Sequence, residues 1–362
     1  MSFSQSNNIQ PKRILVITLR YLGDTLLTTP LLASLKQAYP HAEIDVLLPF
    51  ANQGMLQGNP HISRLIPIEA KPKLSSFVKL LLSLYRRYDL SISTQPGDRP
   101  VLCAITSGRF SMGFVPAASA GYSWKRLLLS RALPFEGQGH AVLENLRFCR
   151  ELDVAPCYAL TPPRDDNQAA MRLPRGSYAV MHIMPQWRYK QWQDEAWIKV
   201  ANFLSRQGLA VVLTGSASPS ERQALRELQR KLPPSAVNLS GQLTLPQLTA
   251  LIEKAVLFIG PDTGVTHLAA ATGAQTFALF GPTDPKIWAP WPSGYAKNWP
   301  PFAVSGTQDI NNVHLIQKTM PQGCVPCQLE GCERNQQSRS ACLDELSAES
   351  VIEIIGRYLF RN

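Results

Sequence analysis

No apolar run in this chain reaches the roughly 18 residues that a membrane-spanning helix needs. The start, Ser2 to Gln10, is polar and lacks the basic-then-apolar order of a secretory signal. Both absences favour a soluble, cytoplasmic protein. Charge is scarce at 17% of residues, and acid is scarcest, with 26 acidic residues against 36 basic for a net charge of +10. Such a balance favours anionic partners: nucleic acid, an anionic membrane surface or a phosphorylated glycolipid. A merely solvated basic surface satisfies it equally. No zinc finger or aromatic RNA-binding signature accompanies the charge, which removes the main support for nucleic acid. Cysteine is sparse as well. Cys103, Cys149 and Cys157 stand alone and read as packing residues. Only Cys324, Cys327, Cys332 and Cys342 cluster, as C-x2-C-x4-C-x9-C. Four thiols at that spacing suit a structural zinc, reduced thiols or a local disulfide. The pair lies outside any thioredoxin-like strand and helix, which argues against a redox role.

What is present is a chain of 362 residues, 45% apolar, long enough for two domains. Strand and helix patterns alternate, which implies parallel sheets with right-handed crossovers. Strands are expected at Arg13–Thr18, Glu43–Leu48, Leu65–Ile68 and Leu90–Ser93. Helices are expected at Asp24–Tyr39, Ser75–Arg87 and Ala141–Leu152. Pro30 fits the first of these only near its start. Lys71 to Tyr88 is basic and amphipathic around Leu80-Leu81-Leu82. It suits a core-packing helix with basic ends or a membrane-touching face. The polar, proline-containing stretch Thr161 to Asn167 reads as a domain boundary. Residues 1–165 then form one domain and 170–345 a second, with 346–362 a terminal helix expected to pack back on the first. The second series predicts strands at Tyr178–His182, Ala210–Leu213 and Val237–Leu239. Its helices are predicted at Asp194–Gln207, Pro219–Leu232 and Leu245–Lys254, and Ala348–Phe360 forms the terminal helix. Trp288–Asn311, rich in Pro, Trp and Gly, reads as an irregular loop. The fold class is α/β, with two parallel-sheet domains facing across a cleft and ligands at the carboxyl ends of both sheets.

The most informative stretch is Phe258 to Ala271. The apolar run Ala255 to Ile259 reads as a buried strand that stops at Gly260-Pro261. Asp262-Thr263-Gly264 then open a helix of small residues. One strand end thus delivers a carboxylate, a hydroxyl and several backbone N–H groups to one point. A helix start of this kind attracts a phosphate or diphosphate. The strand Gln275–Phe280 and the turn Gly281-Pro282-Thr283-Asp284-Pro285 repeat the pattern.

Other strand ends carry further candidates. Asp24, after Arg20 and Gly23, caps a helix or takes a proton from an attacking hydroxyl. Arg188 and Lys190 follow the second domain's first strand, where a cation neutralises a leaving diphosphate. For Arg188 a plain surface loop is an equal reading. Thr214-Gly215-Ser216 ends the next strand and suits a ribose or base. Glu221 suits a ribose hydroxyl or a first-turn helix charge. His267 is either packed under its loop or a ligand donor.

Together these residues resemble the heptosyltransferases of lipopolysaccharide core synthesis, glycosyltransferase family nine. The matching segments are Arg13 to Ile17 with Gly23-Asp24 and Thr28-Thr29-Pro30, then Lys190-Gln191-Trp192. Gly260 to Ala270 and Phe280 to Asp284 carry the strongest match. The overall pattern lies nearest the branch that adds the third, branching heptose. The resemblance implies a GT-B fold of two Rossmann-like domains. It implies an inverting transfer from ADP-L-glycero-D-manno-heptose to the inner core without a required metal. It makes Asp24 the catalytic base, Lys190 the diphosphate ligand and Asp262 a holder of sugar hydroxyls. Thr263, Gly264 and His267 would line the phosphate and sugar site, and Leu243 would lie near adenine. Thr214, Gly215 and Glu221 complete the donor set, and Arg20 would meet the acceptor. The expected partners are an ADP-sugar, a phosphorylated lipid A-core acceptor and the cytoplasmic membrane face, with the protein a monomer. Met184-Pro185-Gln186 departs from the family, in which hydroxyl residues contact phosphate there. Another nucleotide-sugar donor, an epimerase and a catalytically silent relative are the competing functions.

Overall fold

The computed structural model describes residues 10–117, 123–165 and 176–360. Ser2 to Ile9, Asp166-Asn167 of the boundary stretch, the assumed domain start at 170 and the last two residues lie outside them. Contacts divide the chain into Met1–Pro163 and Arg164–Asn362.

The first unit runs β1 (Arg13–Ile17), α1 (Leu22–Leu26), α2 (Thr29–Ala38), β2 (Glu43–Pro49), β3 (Arg64–Ile68), α3 (Leu74–Leu84) and β4 (Tyr88–Ser93). It continues with α4 (Asp98–Ser107), β5 (Gly108–Pro116), α5 (Ser123–Leu128), β6 (Arg131–Phe135) and α6 (Ala141–Glu151). Its six strands pair in parallel in the order β3-β2-β1-β4-β5-β6. β1 sits centrally because Ile14-Leu15-Val16-Ile17 is apolar on both faces and fully buried. The order reverses between β1 and β4, so their carboxyl ends form the switch point where such sheets bind ligands.

One helix expected at Asp24–Tyr39 is in fact two. Thr28 Oγ1 donates to Thr25 O at 2.7 Å and Thr29 Oγ1 to Leu26 O at 2.8 Å, closing α1. Pro30 then falls in the first turn of α2, where its missing N–H costs nothing.

The second unit runs β7 (Tyr178–His182), a 3-10 turn at Arg188–Lys190, α7 (Asp194–Arg206), β8 (Ala210–Thr214), α8 (Pro219–Gln229) and β9 (Val237–Asn238). Then come α9 (Leu245–Glu253), β10 (Leu257–Pro261), α10 (Gly264–Thr272), β11 (Thr276–Phe280), α11 (Pro285–Trp288), β12 (Gln308–Ile310) and β13 (Val313–Gln317). α12 (Ala341–Asp344) and α13 (Ala348–Leu359) close the described chain. The sheet order is β12-β13-β11-β10-β7-β8-β9, parallel except at β12. Its switch point lies between β7 and β10. The stretch expected to be loop through Asn311 ends in β12, which pairs antiparallel with β13.

The terminal helix packs on α7 within the second unit. Val351 and Ile355 of α13 are fully buried in one cluster with Trp197 and Val200 of α7. Trp192 Nε1 donates to Leu346 O at 2.8 Å just before it. The apolar face of α13 therefore completes the core of the second unit.

Candidate active site

In the second unit the residues that matter gather at the switch point. β10 ends at Pro261, and Asp262 follows, 7% exposed. Lys190, in the turn after β7, donates from Nζ to Asp262 Oδ2 at 2.6 Å. The ammonium thus stands beside the start of α10. Thr263 caps that helix and accepts from Thr266 N at 3.4 Å. The N–H groups of Gly264 and Val265 open α10 and have no residue four places earlier in the helix to bond. The two strands lie close here. A Cβ at Gly260 would come 3.1 Å from His182 O and 3.0 Å from the Phe258 ring.

His267, one turn into α10, is 5% exposed. Burial pushes its imidazolium down to about 4; Asp262 opposes that shift and Lys190 adds to it. The ring is therefore neutral at pH 7. Its Nδ1 is buried and has no hydrogen-bond partner among the described residues, which suits an atom reserved for a ligand.

A second cluster shares β7. His182 and Thr214 face each other in register across β7 and β8, with Nδ1 and Oγ1 3.1 Å apart. Burial holds His182 near 4 too, against the weaker pull of Glu221. Glu221 accepts from Ser216 N at 2.9 Å and from Ser216 Oγ, so it braces the loop after β8 from the first turn of α8. Gly215 lets these side chains approach: a Cβ would come 2.6 Å from both Glu221 Oε1 and Leu225 Cδ1. Leu243 is half-buried in the loop before the α9 cap Thr244. His182 was not foreseen as a site residue; its one signal is a titratable group ending an otherwise apolar strand.

The cysteine-bearing segment supports Lys190 from behind. Ser340 Oγ donates to Tyr189 O at 2.7 Å, and Arg188 N donates to Gln336 O at 3.1 Å. The Arg188 side chain is exposed, whereas Lys190 is the residue carried to Asp262. Gln193 Nε2 donates to Asp344 O at 2.7 Å. Cys332 Sγ accepts from Ala341 N at 3.3 Å. Among the described residues, no three Cys, His, Asp or Glu side chains are gathered as a metal-binding group. Met184 packs against the core, Pro185 is buried and Gln186 is exposed, so that loop is anchored through its apolar half.

In the first unit, Asp24 lies in the first turn of α1, just after β1, half-buried, and its Oδ2 accepts from Tyr21 N at 3.3 Å. The capping reading is thus realised, at the switch point. The loop between β1 and α1 is clamped from both flanking strand ends. Asn52, following β2, donates to Arg20 O at 2.9 Å and Thr25 Oγ1 at 2.8 Å. Leu19 N donates to Gln95 Oε1, following β4, at 2.8 Å. Asn52 and Gln95 are both 6% exposed. The Arg20 side chain is exposed.

Known proteins share this architecture. Residues 80–310 match the family described as glycosyltransferase family 9 (heptosyltransferase). The chain is 31% identical over 297 residues to lipopolysaccharide heptosyltransferase 3 of Escherichia coli K12, covering 78% of this chain and 86% of that one. It is 27% identical to lipopolysaccharide heptosyltransferase 1 of Pseudomonas aeruginosa, covering 93% and 92%. A solved family 9 glycosyltransferase from Veillonella parvula superposes with a TM-score of 0.76 at 20% identity, covering 97% and 98%. The E. coli ADP-heptose heptosyltransferase II gives 0.73 at 20% identity, covering 96% and 99%.

Proposed function

The chain belongs to glycosyltransferase family 9 and is a glycosyltransferase, and we propose that it moves a heptose from ADP-L-glycero-D-manno-heptose to the lipopolysaccharide inner core. The reading extends to addition of the third, branching heptose, supported by the likeness to heptosyltransferase 3. The observation that carries the donor half is the Lys190–Asp262 pair at the start of α10.

In this reading the acceptor hydroxyl attacks the anomeric carbon from the face opposite ADP. A new C–O bond forms, the bond to the diphosphate breaks, and the configuration inverts. Asp24 takes the hydroxyl proton. The helix start favours the charged form of a carboxylate, and a weak base suffices once the sugar is oxocarbenium-like. The departing ADP gains negative charge. Lys190 and the N–H groups opening α10 stabilise that charge as it grows. Asp262, released from Lys190 as the diphosphate takes the ammonium, holds sugar hydroxyls. The unpaired Nδ1 of His267 takes a further donor oxygen. Thr214, Gly215 and Leu243 line the nucleoside end. The lipid-linked acceptor brings the protein to the cytoplasmic face of the membrane.

One assay tests the reading. Purified protein is given ADP-heptose with and without heptose-deficient core glycolipid, and ADP release is followed. Release only with acceptor supports transfer. Turnover of the nucleotide sugar without acceptor supports an epimerase, and binding without turnover a silent relative.

A further inference from the structure

Helix α3 has more apolar surface than its core uses. Phe77 and Leu84 are buried in the first unit, and Leu80 and Leu81 pack beside them. Next to that face lies a second apolar row open to solvent: Leu74 is 78% exposed, Val78 44%, Leu82 71% and, just past the helix end, Tyr85 64%. At 3.6 residues per turn the row occupies an arc of about 80°. Ser75, Lys79, Ser83 and Ser76 fill the remaining polar arc. Between Ala70 and Tyr88 there is no acidic residue, while Lys71, Lys73, Lys79, Arg86 and Arg87 are basic. Arg86 is tied to Gly108 O at 2.9 Å. The other four are exposed, and their side chains make no ion pair or hydrogen bond among the described residues. α5 packs on the same cluster through Trp124, and it exposes Leu127 at 81% and Leu128 at 57%.

We propose that α3 seats this protein on an anionic phospholipid bilayer. Leu74, Val78, Leu82 and Tyr85 enter the boundary between head groups and acyl chains, while the free lysines and Arg87 meet lipid phosphates. An exposed apolar row flanked by basic residues without acid is the pattern of a helix lying in the interface plane. A second copy of the chain fits poorly. A two-fold contact along this row would set Lys79 and Arg87 near their own copies. The row also offers roughly a few hundred Å², short of the about 800 Å² per partner of a stable interface. The proposal rests on α3 alone and supplies the surface for the membrane-facing part of the function proposed above.

The test is co-sedimentation of the full chain with phosphatidylglycerol-containing vesicles and with phosphatidylcholine vesicles, alongside ADP affinity and transfer to a deacylated, water-soluble core. Wild type should bind the anionic vesicles preferentially. Val78→Asp/Leu82→Asp should weaken that binding on the order of ten-fold or more. Lys79→Glu/Arg87→Glu should weaken it on anionic vesicles only. Both variants should keep wild-type ADP affinity and soluble-acceptor turnover. Wild-type vesicle binding by the Asp variant would overturn the proposal. So would a wild-type dimer that the Asp variant turns into monomer. Failure of the transfer assay would leave the vesicle result standing, so the two readings fail separately.

Discussion

Replacing Lys190 by alanine should damage stability and donor binding separately, and the two losses can be pulled apart. In the resting protein the ammonium sits 2.6 Å from Asp262 Oδ2. Removing one partner of a fully buried pair costs about 3–5 kcal/mol, because a charge is stranded. Here the lysine side chain is 20% exposed and the aspartate 7%, so water screens part of the loss, and about 2 kcal/mol is expected. On the donor side, one charge-assisted contact is worth about 1.5–3 kcal/mol, or about ten- to a hundred-fold in the ADP dissociation constant. The assay is a double-mutant cycle with Asp262→Asn, read by denaturant unfolding and by calorimetric titration with ADP. Lys190→Ala/Asp262→Asn should unfold at higher denaturant than Lys190→Ala, since the stranded charge is gone. It should bind ADP no better. Additive stabilities would show that the pair is not coupled. An ADP affinity for Lys190→Ala equal to wild type would remove Lys190 from the donor site.

Asp24→Asn should keep the cap to Tyr21 N and ADP affinity, yet lose on the order of a hundred-fold or more in turnover; wild-type turnover would exclude Asp24 as the base. Ser340→Ala removes the donor to Tyr189 O and about 1 kcal/mol with it, so ADP should bind several-fold more weakly; unchanged affinity would show that the Lys190 turn holds itself. His182 and His267 are both pushed to about 4 by burial, whereas in the unfolded chain they titrate near 6.5. The unfolded state therefore takes up protons first, and stability should fall as pH drops from about 6.5 toward about 4. The denaturant midpoint of His267→Asn should fall less steeply over that range than that of wild type; equal slopes would contradict the buried, neutral reading.

Elements whose burial is continuous or strictly periodic were legible in the sequence. β1, β7 and β10 announce themselves by unbroken apolar runs, and the opening of α10 by Asp262-Thr263-Gly264. Others were hidden for identifiable reasons. β5 carries Gly108, Arg109 and Gly113 among its apolar residues, so no alternation stands out. β13 follows the proline- and tryptophan-rich stretch and shares its apparent irregularity. The break between α1 and α2 depends on hydroxyls bonding back to carbonyls, which a period of 3.6 does not report. In the site, Lys190 and Asp262 could each be named from a strand end, but their pairing spans 72 positions. The His182–Thr214 contact depends on the register of β7 against β8. The placement of α13 depends on which unit leaves an apolar face uncovered, which no local pattern states.

Both sheets run in the same order, three strands outward from β1 or β7 and then back past the origin to β4 or β10. Each therefore has one switch point, and the two are furnished with opposite charge. The first carries a carboxylate, Asp24, in the first turn of α1, which Asn52 and Gln95 fasten together with the loop before it. The second carries an ammonium, Lys190, and the opening N–H groups of α10. The inverting transfer proposed above would use this division of labour. A proton must leave the nucleophile while negative charge builds on the leaving group, and one site serving both would set its own charges against each other. Asp262 reconciles the ammonium with an unliganded resting state. It pairs with Lys190 at 2.6 Å, and in the proposed reading a diphosphate competes for the ammonium and leaves the carboxylate for the sugar. On this argument Asp262→Asn should impair turnover more than ADP binding, because the group it removes is needed only once the donor has arrived.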